Sequence, residues 1–140
     1  AQMIAGFQEK KMGNNFGYSA FVSYGAFWIS LGIIWLLKVL KVYEPSATDV
    51  GYYLVAWTLY TAIMFVASWR VHTAMAFTFL TLIIGFILLV LGHFGSPTFN
   101  VVAGYELILC ALSALYMMAG IIINDLAGKT VLSMGKPWVK

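Results

Sequence analysis

Four long apolar runs leave this chain few folds to choose from. They cover roughly residues 16–40, 50–67, 71–92 and 99–123. A helix needs about 20 apolar residues to cross about 30 Å of hydrocarbon, and each run is near that length. Lipid offers the backbone no hydrogen-bond partners, so a spanning segment is a helix or a strand of a closed barrel. Barrel strands alternate apolar and polar residues over about 10 positions, and these runs do not alternate. The fold class read from this is an all-α membrane protein, a polytopic helix bundle. Charge agrees: 9% of residues are charged and 62% are hydrophobic, where a soluble domain carries about 25% charged residues.

The connections are short and polar: QEKKMGNN at 8–15, KVLKVYEPSATD at 38–49, SWR at 68–70 and HFGSPT at 93–98. No linker separates domains, so residues 1–140 read as a single transmembrane domain with a tail over 124–140. Four spans put Lys10, Lys11, Arg70, Lys129, Lys136 and Lys140 on one side, and Lys38 and Lys41 on the other. The positive-inside rule then makes the tail cytoplasmic. Trp35, Tyr43, Tyr52, Tyr53, Trp69 and Tyr105 lie near span ends, where aromatic belts form. Residues 1–7 read as the end of a helix, with no leader before them. The expectation is that further residues precede Ala1 in the native protein.

Enzyme-like constellations are missing. The sequence has no Gly-rich phosphate loop, no cysteine pair and no HExxH, so the reading is a non-enzyme without metal or cofactor. The net charge of +3 is too small to argue for nucleic acid. His72 and His93 stand at opposite ends of one span, about 31 Å apart at 1.5 Å per residue, too far to hold one haem between them. Cys110 is the lone cysteine, a buried inert thiol by default. Glu106 is the one acid well inside a span. An intramembrane carboxyl marks function by default, yet Glu106 is only about two turns from its helix start and also reads as reaching water at the outer mouth.

Small residues punctuate the helices at packing intervals, Gly13 with Gly17 and Cys110 with Ala114, as close helix contacts in lipid require. Three faces place a bulky side chain among small ones. One holds Gly17, Ala20, Tyr24 and Phe27, a second Thr78, Leu82 and Gly85, and a third Ala103, Cys110, Ala114 and Met117. Such a face is either a packed seam or the lining of a narrow gated path. Hydroxyls available to a passing anion are Ser23, Tyr24, Thr78, Thr81 and Ser113.

Two blocks carry a resemblance. The first holds Glu9, Lys11, Gly13, Asn14, Phe16, Gly17, Ser23, Tyr24, Gly25, Phe27 and Trp28. The second holds Ala111, Ala114, Tyr116, Asn124, Gly128, Lys129, Thr130, Val131, Leu132 and Gly135. In type and spacing they resemble the acetate uptake transporter family, which includes the bacterial succinate–acetate permeases, over essentially all 140 residues. The family's Asn-Pro-Ala-Pro-Leu-Gly signature is absent, Lys129 replaces the usual Arg, and Glu106 stands where the family is usually apolar or small. The resemblance implies a six-helix family fold entered late in its second helix, and a homohexamer in the inner membrane with a path through each protomer. It implies acetate and succinate as solutes, carried as anions or with a proton. It maps a gate onto Tyr24 and Leu82, and a residue governing substrate range onto Ala114. Ser23, Phe27, Thr78, Thr81 and Glu106 are the further path residues expected. The competing class is a non-transporting membrane anchor subunit, which needs no solvated path.

Overall fold

The computed structural model describes residues 1–139. These form five helices and no strand: α1 (Gln2–Lys11), α2 (Asn15–Val39), α3 (Ala47–Ser68), α4 (Thr73–Phe94) and α5 (Thr98–Ala127). The last four are long and apolar enough to span a membrane. Lys140, counted above among the basic residues of the tail, lies outside the described residues. The chain divides into two compact units, one over Ala1–Ser46 and the other from Ala47 onward.

The first unit is a helical hairpin of α1 and α2. Asn14 caps α2 by accepting from the Gly17 N–H at 3.0 Å, and its amide donates to Glu9 Oε2 at 2.6 Å. One side chain thereby ties the start of one helix to the end of the other. Further along, Gly25 lets the helices touch backbone to backbone. A Cβ built there would stand 2.7 Å from the Met3 nitrogen and 2.9 Å from its Cα. Gly6 does the same from the other helix, with a Cβ site 2.7 Å from the Val22 nitrogen. Such mutual insertion of glycines is how helices approach closely in lipid. After α2, Lys41 takes a left-handed φ of 56°, and an exposed Lys38–Glu44 pair at 3.5 Å precedes Pro45.

In the second unit α4 is central, packed against both α3 and α5. Its buried residues are accordingly spread around its circumference: Ala76, Thr78, Phe79, Thr81, Gly85, Phe86 and Gly92. On α3, Thr61 and Ser68 are fully buried. Their hydroxyls donate to Trp57 O and Phe65 O of the same helix, which satisfies them where no water reaches. Large apolar residues such as Leu59, Ile63, Ile108 and Leu115 remain exposed along the spans, as a lipid-facing surface requires.

Helix α5 runs past Ile123 to Ala127 and ends on Gly128 at φ 60°. The tail then folds back over the same end of the unit. The Asn124 amide donates to Leu132 O at 2.8 Å, and Asn124 Oδ1 accepts from the Val131 and Leu132 N–H groups at 2.7 and 2.9 Å. Tyr116 donates to Ser133 O at 2.7 Å, Ala74 N to Met134 O at 2.9 Å, and Trp138 N to Trp69 O at 2.8 Å. Gly135, at φ 73°, is required twice over: its backbone angle is left-handed, and a Cβ would meet Thr73 Oγ1 at 2.7 Å. The tail is thus a strap joining the end of α5 to the start of α4 and the end of α3.

Candidate functional site

Within the first unit, Tyr24 and Phe27 are among the most buried side chains, at 7% and 5% exposure. Both share a face of α2 with buried Gly17, Ala20 and Leu31. The sequence spacing thus picked the buried side of this helix, because residues three, seven and ten apart lie on one stripe. Ser23, one position off that stripe, is half-buried.

Within the second unit Thr78, Thr81 and Glu106 gather around the α4–α5 crossing. Thr78 Oγ1 lies 2.8 Å from Ser113 Oγ, and Thr78 O accepts the Cys110 thiol at 3.6 Å. Met117 Sδ approaches Thr78 Oγ1 at 3.8 Å. Thr81, one turn on, donates to Thr78 O at 2.9 Å or Phe77 O at 3.2 Å. The Thr78, Thr81 and Ser113 hydroxyls, which the sequence offers to an anion, are therefore bonded within the protein at rest. Each must rotate, or share its proton, to serve a solute. Leu82 is half-buried one turn beyond Thr78. Ala114, next to Ser113, is exposed, while Ala103, Cys110 and Met117 of the same α5 face are buried. About 40° on the helical wheel separates Ala114 from Cys110, enough to put it at the margin of the stripe.

Glu106 departs furthest from its sequence reading. Its side chain is half-buried, yet both carboxyl oxygens are out of solvent and find no hydrogen-bond partner. They sit in the notch left by Gly85 of α4, where a Cβ would come 2.6 Å from Glu106 Oε2. The carboxyl points into the α4–α5 seam.

The two histidines are local fixtures at opposite ends of α4. His72 caps the helix, its Nδ1 accepting from the Met75 N–H at 3.0 Å. Burial pulls the His72 ring below its ordinary 6.5, and the neutral ring is the form that keeps this acceptor. His93 Nδ1 lies 2.8 Å from Leu89 O. Among the described residues no group of His, Cys, Asp and Glu is placed to hold a metal.

Asn124 and Asn100 are the polar residues whose roles the sequence left unread. Asn124 organises the strap, and Asn100 reaches Gly92 O at 3.4 Å across the α4–α5 turn. Their signal was faint: an Asn near a helix end looks like a cap, and its distant partners lie in irregular chain. Beside the strap, Thr73, Phe77, Leu112, Ser113, Tyr116 and Met134 line a groove of about 580 Å³, mostly apolar.

Comparison with known proteins covers the same ground. A family described as GPR1/FUN34/yaaH matches residues 1–133. The succinate-acetate/proton symporter SatP of Escherichia coli K12 is 37% identical over 138 residues, covering 97% of this chain and 73% of the symporter. Acetate permease A of Emericella nidulans is 30% identical over 138 residues, covering 86% of this chain and 46% of the permease. A solved structure of the bacterial acetate channel SatP superposes with a TM-score of 0.92 at 37% identity, covering 96% of this chain and 75% of the channel.

Proposed function

The chain belongs to the GPR1/FUN34/yaaH family, and from that premise we propose that it is a multi-pass membrane protein carrying acetate, succinate and related small carboxylates. The observation that carries this is the match in sequence and fold, over nearly its whole length, to a protein solved as an acetate channel. A fold shared at that level supports a shared way of moving the solute.

The chemistry of the second unit suits such a route. A carboxylate must shed water to pass a narrow apolar point, and conduction needs sites weak enough to release it. Neither α4 nor α5 holds a Lys or Arg that would trap an anion. The groups on offer there are the hydroxyls of Thr78, Thr81 and Ser113. In this unit Leu82 acts as the apolar plug and Ala114 limits the size of the solute. Arg70, Lys129 and Lys136 stand by the strap, where basic residues raise the local concentration of anions. The same charges support a cytoplasmic tail in an inner membrane. A proton carried inward can ride on the solute itself, whose carboxyl titrates near about 4, like a side-chain acid. Transport through a homohexamer, one path per protomer, completes the reading. The protein acts as a carrier or channel and performs no covalent step.

Uptake of labelled acetate into proteoliposomes tests this. Uptake above that of protein-free vesicles, competed by succinate, is expected. Uptake equal to protein-free vesicles, from protein that remains folded, would contradict it.

A further inference from the structure

We propose that Glu106 is held protonated within the membrane span and donates its O–H to the carboxylate of the passing solute. The inference rests on the transport reading above and adds to it a residue that senses the solute's charged group.

The case begins with the orphaned oxygens. Both Oε1 and Oε2 of Glu106 are shut away from solvent without a protein partner. An ionised carboxylate accepts several hydrogen bonds and is costly inside a span without them. The neighbours have none to give. The Thr81 hydroxyl donates to the backbone of its own helix, the Cys110 thiol is directed to Thr78 O, and Ser113 donates to Cys110 O. Among the described residues no cation pairs with it either. Two elements pack against α5: the tail, whose Lys129 and Lys136 belong to the strap held at Tyr116 and Asn124, and α4, whose one ionisable side chain is His93. His93 lies eight residues beyond Gly85, about 12 Å along the helix, with its Nδ1 beside Leu89 O. On α5 itself the nearby ionisable groups are Tyr105 and Cys110, neither of them positive. The neutral acid is the form that this notch accommodates.

A neutral acid in such a place has one proton to offer and nothing to offer it to. The best acceptor a small-carboxylate carrier brings into its span is the solute's own carboxylate. A carboxylic acid facing a carboxylate forms a short, charge-assisted hydrogen bond. No covalent bond is broken, and the proton stays on Glu106 when the solute leaves. Gly85 is the second half of the device, because any side chain there would occupy the volume that Glu106 uses.

The prediction has two independent readouts. Infrared spectra of the wild-type protein in lipid at neutral pH are expected to hold a carboxylic-acid C=O band. That band should shift in D2O, vanish at alkaline pH and be missing from Glu106→Gln. This arm needs no transport, so it stands or falls separately from the functional reading. In proteoliposomes the ratio of Glu106→Gln to wild-type acetate flux cancels the solute's own titration. It should be near one at acid and neutral pH, because Gln keeps a donor, and rise severalfold at alkaline pH, where only the wild type ionises. Glu106→Leu, which has no donor, should lose flux severalfold at every pH while remaining folded. Lack of the band at neutral pH would overturn the protonated state. A band accompanied by unchanged flux in Glu106→Leu would make Glu106 a packing residue only.

Discussion

In the α1–α2 hairpin two helices meet through what is missing: Gly6 and Gly25 remove side chains so that each backbone lies against the other helix. In the α3–α5 unit the contacts run through side chains. Hydroxyls, a thiol and a carboxyl fill the α4–α5 seam, and a folded-back tail closes one end. Helices in lipid gain little from hydrophobic contrast, so they associate through close packing and interhelical hydrogen bonds. The hairpin relies on the first and the larger unit mixes the second with it. The difference matters for function. A backbone-to-backbone contact presents no polar side chain, whereas the seam holds hydroxyls, a thiol and a carboxyl, the groups on which the proposed route relies.

Substitutions can break this contrast, and the largest effect belongs to the hairpin. Gly25→Leu would drive a side chain into the Met3 backbone, which has no rotamer with which to yield. The expected loss is about 3 kcal/mol or more, read as a large drop in thermal stability in detergent. A melting curve like the wild type's would show that the hairpin is not built on this contact.

Next is the strap. Asn124→Ala removes the three hydrogen bonds that its side chain makes to residues 131 and 132, each worth about 1 kcal/mol. Deuterium exchange should rise over residues 131–136 and stay unchanged in α1 and α2. Equal protection in the two proteins would mean that the tail is held by its other contacts alone.

Ser113→Ala probes the polar seam. It deletes one partner of Thr78, and interhelical hydrogen bonds within membranes average only about 0.6 kcal/mol. Stability should hardly move while acetate flux falls, since the proposed route loses one of its hydroxyls. A drop in stability as large as that of Gly25→Leu would erase the distinction between the units.

The smallest effect is at the start of α4. The folded His72 ring titrates below its ordinary 6.5, so the unfolded chain binds the proton more readily. His72 therefore adds stability that is complete above about 6.5 and is lost as pH falls below that value toward the folded one. Exposure to solvent keeps the effect small. His72→Asn retains a capping acceptor that does not titrate, and its stability should vary less with pH over that window.

The sequence made the spans legible because a run of about 20 apolar residues has few alternative fates. It also showed the buried face of α2, since Tyr24 and Phe27 fall on the same stripe as Gly17 and Ala20. It misjudged the end of α5, where Asn124 and Asp125 close the apolar run while the helix continues to Ala127. Polarity ended the pattern, but Gly128 ended the helix. The strap was invisible, since Asn124 finds its partners in irregular chain that no periodicity predicts. Nor could hydropathy say which way Glu106 turns: a carboxyl two turns into a span can reach for water or for a notch, and only Gly85 on a neighbouring helix decides it. Ala114 shares the spacing of Ala103, Cys110 and Met117 but is exposed where they are buried, a difference of tens of degrees that spacing does not resolve.

The contrast between packing and passage is sharpest at Leu82, a half-buried side chain one turn from the Thr78–Ser113 contact. The decisive measurement is the flux of acetate relative to a bulkier monocarboxylate in proteoliposomes bearing Leu82→Ala, with thermal stability recorded on the same samples. As a plug, Leu82 can be trimmed without emptying a core, so the protein should remain as stable as the wild type and admit the bulkier acid in a higher proportion. As packing, its loss would leave a cavity costing about 2–5 kcal/mol. A destabilised protein whose acetate-to-bulkier-acid ratio is unchanged would mean that the seam only holds the helices together.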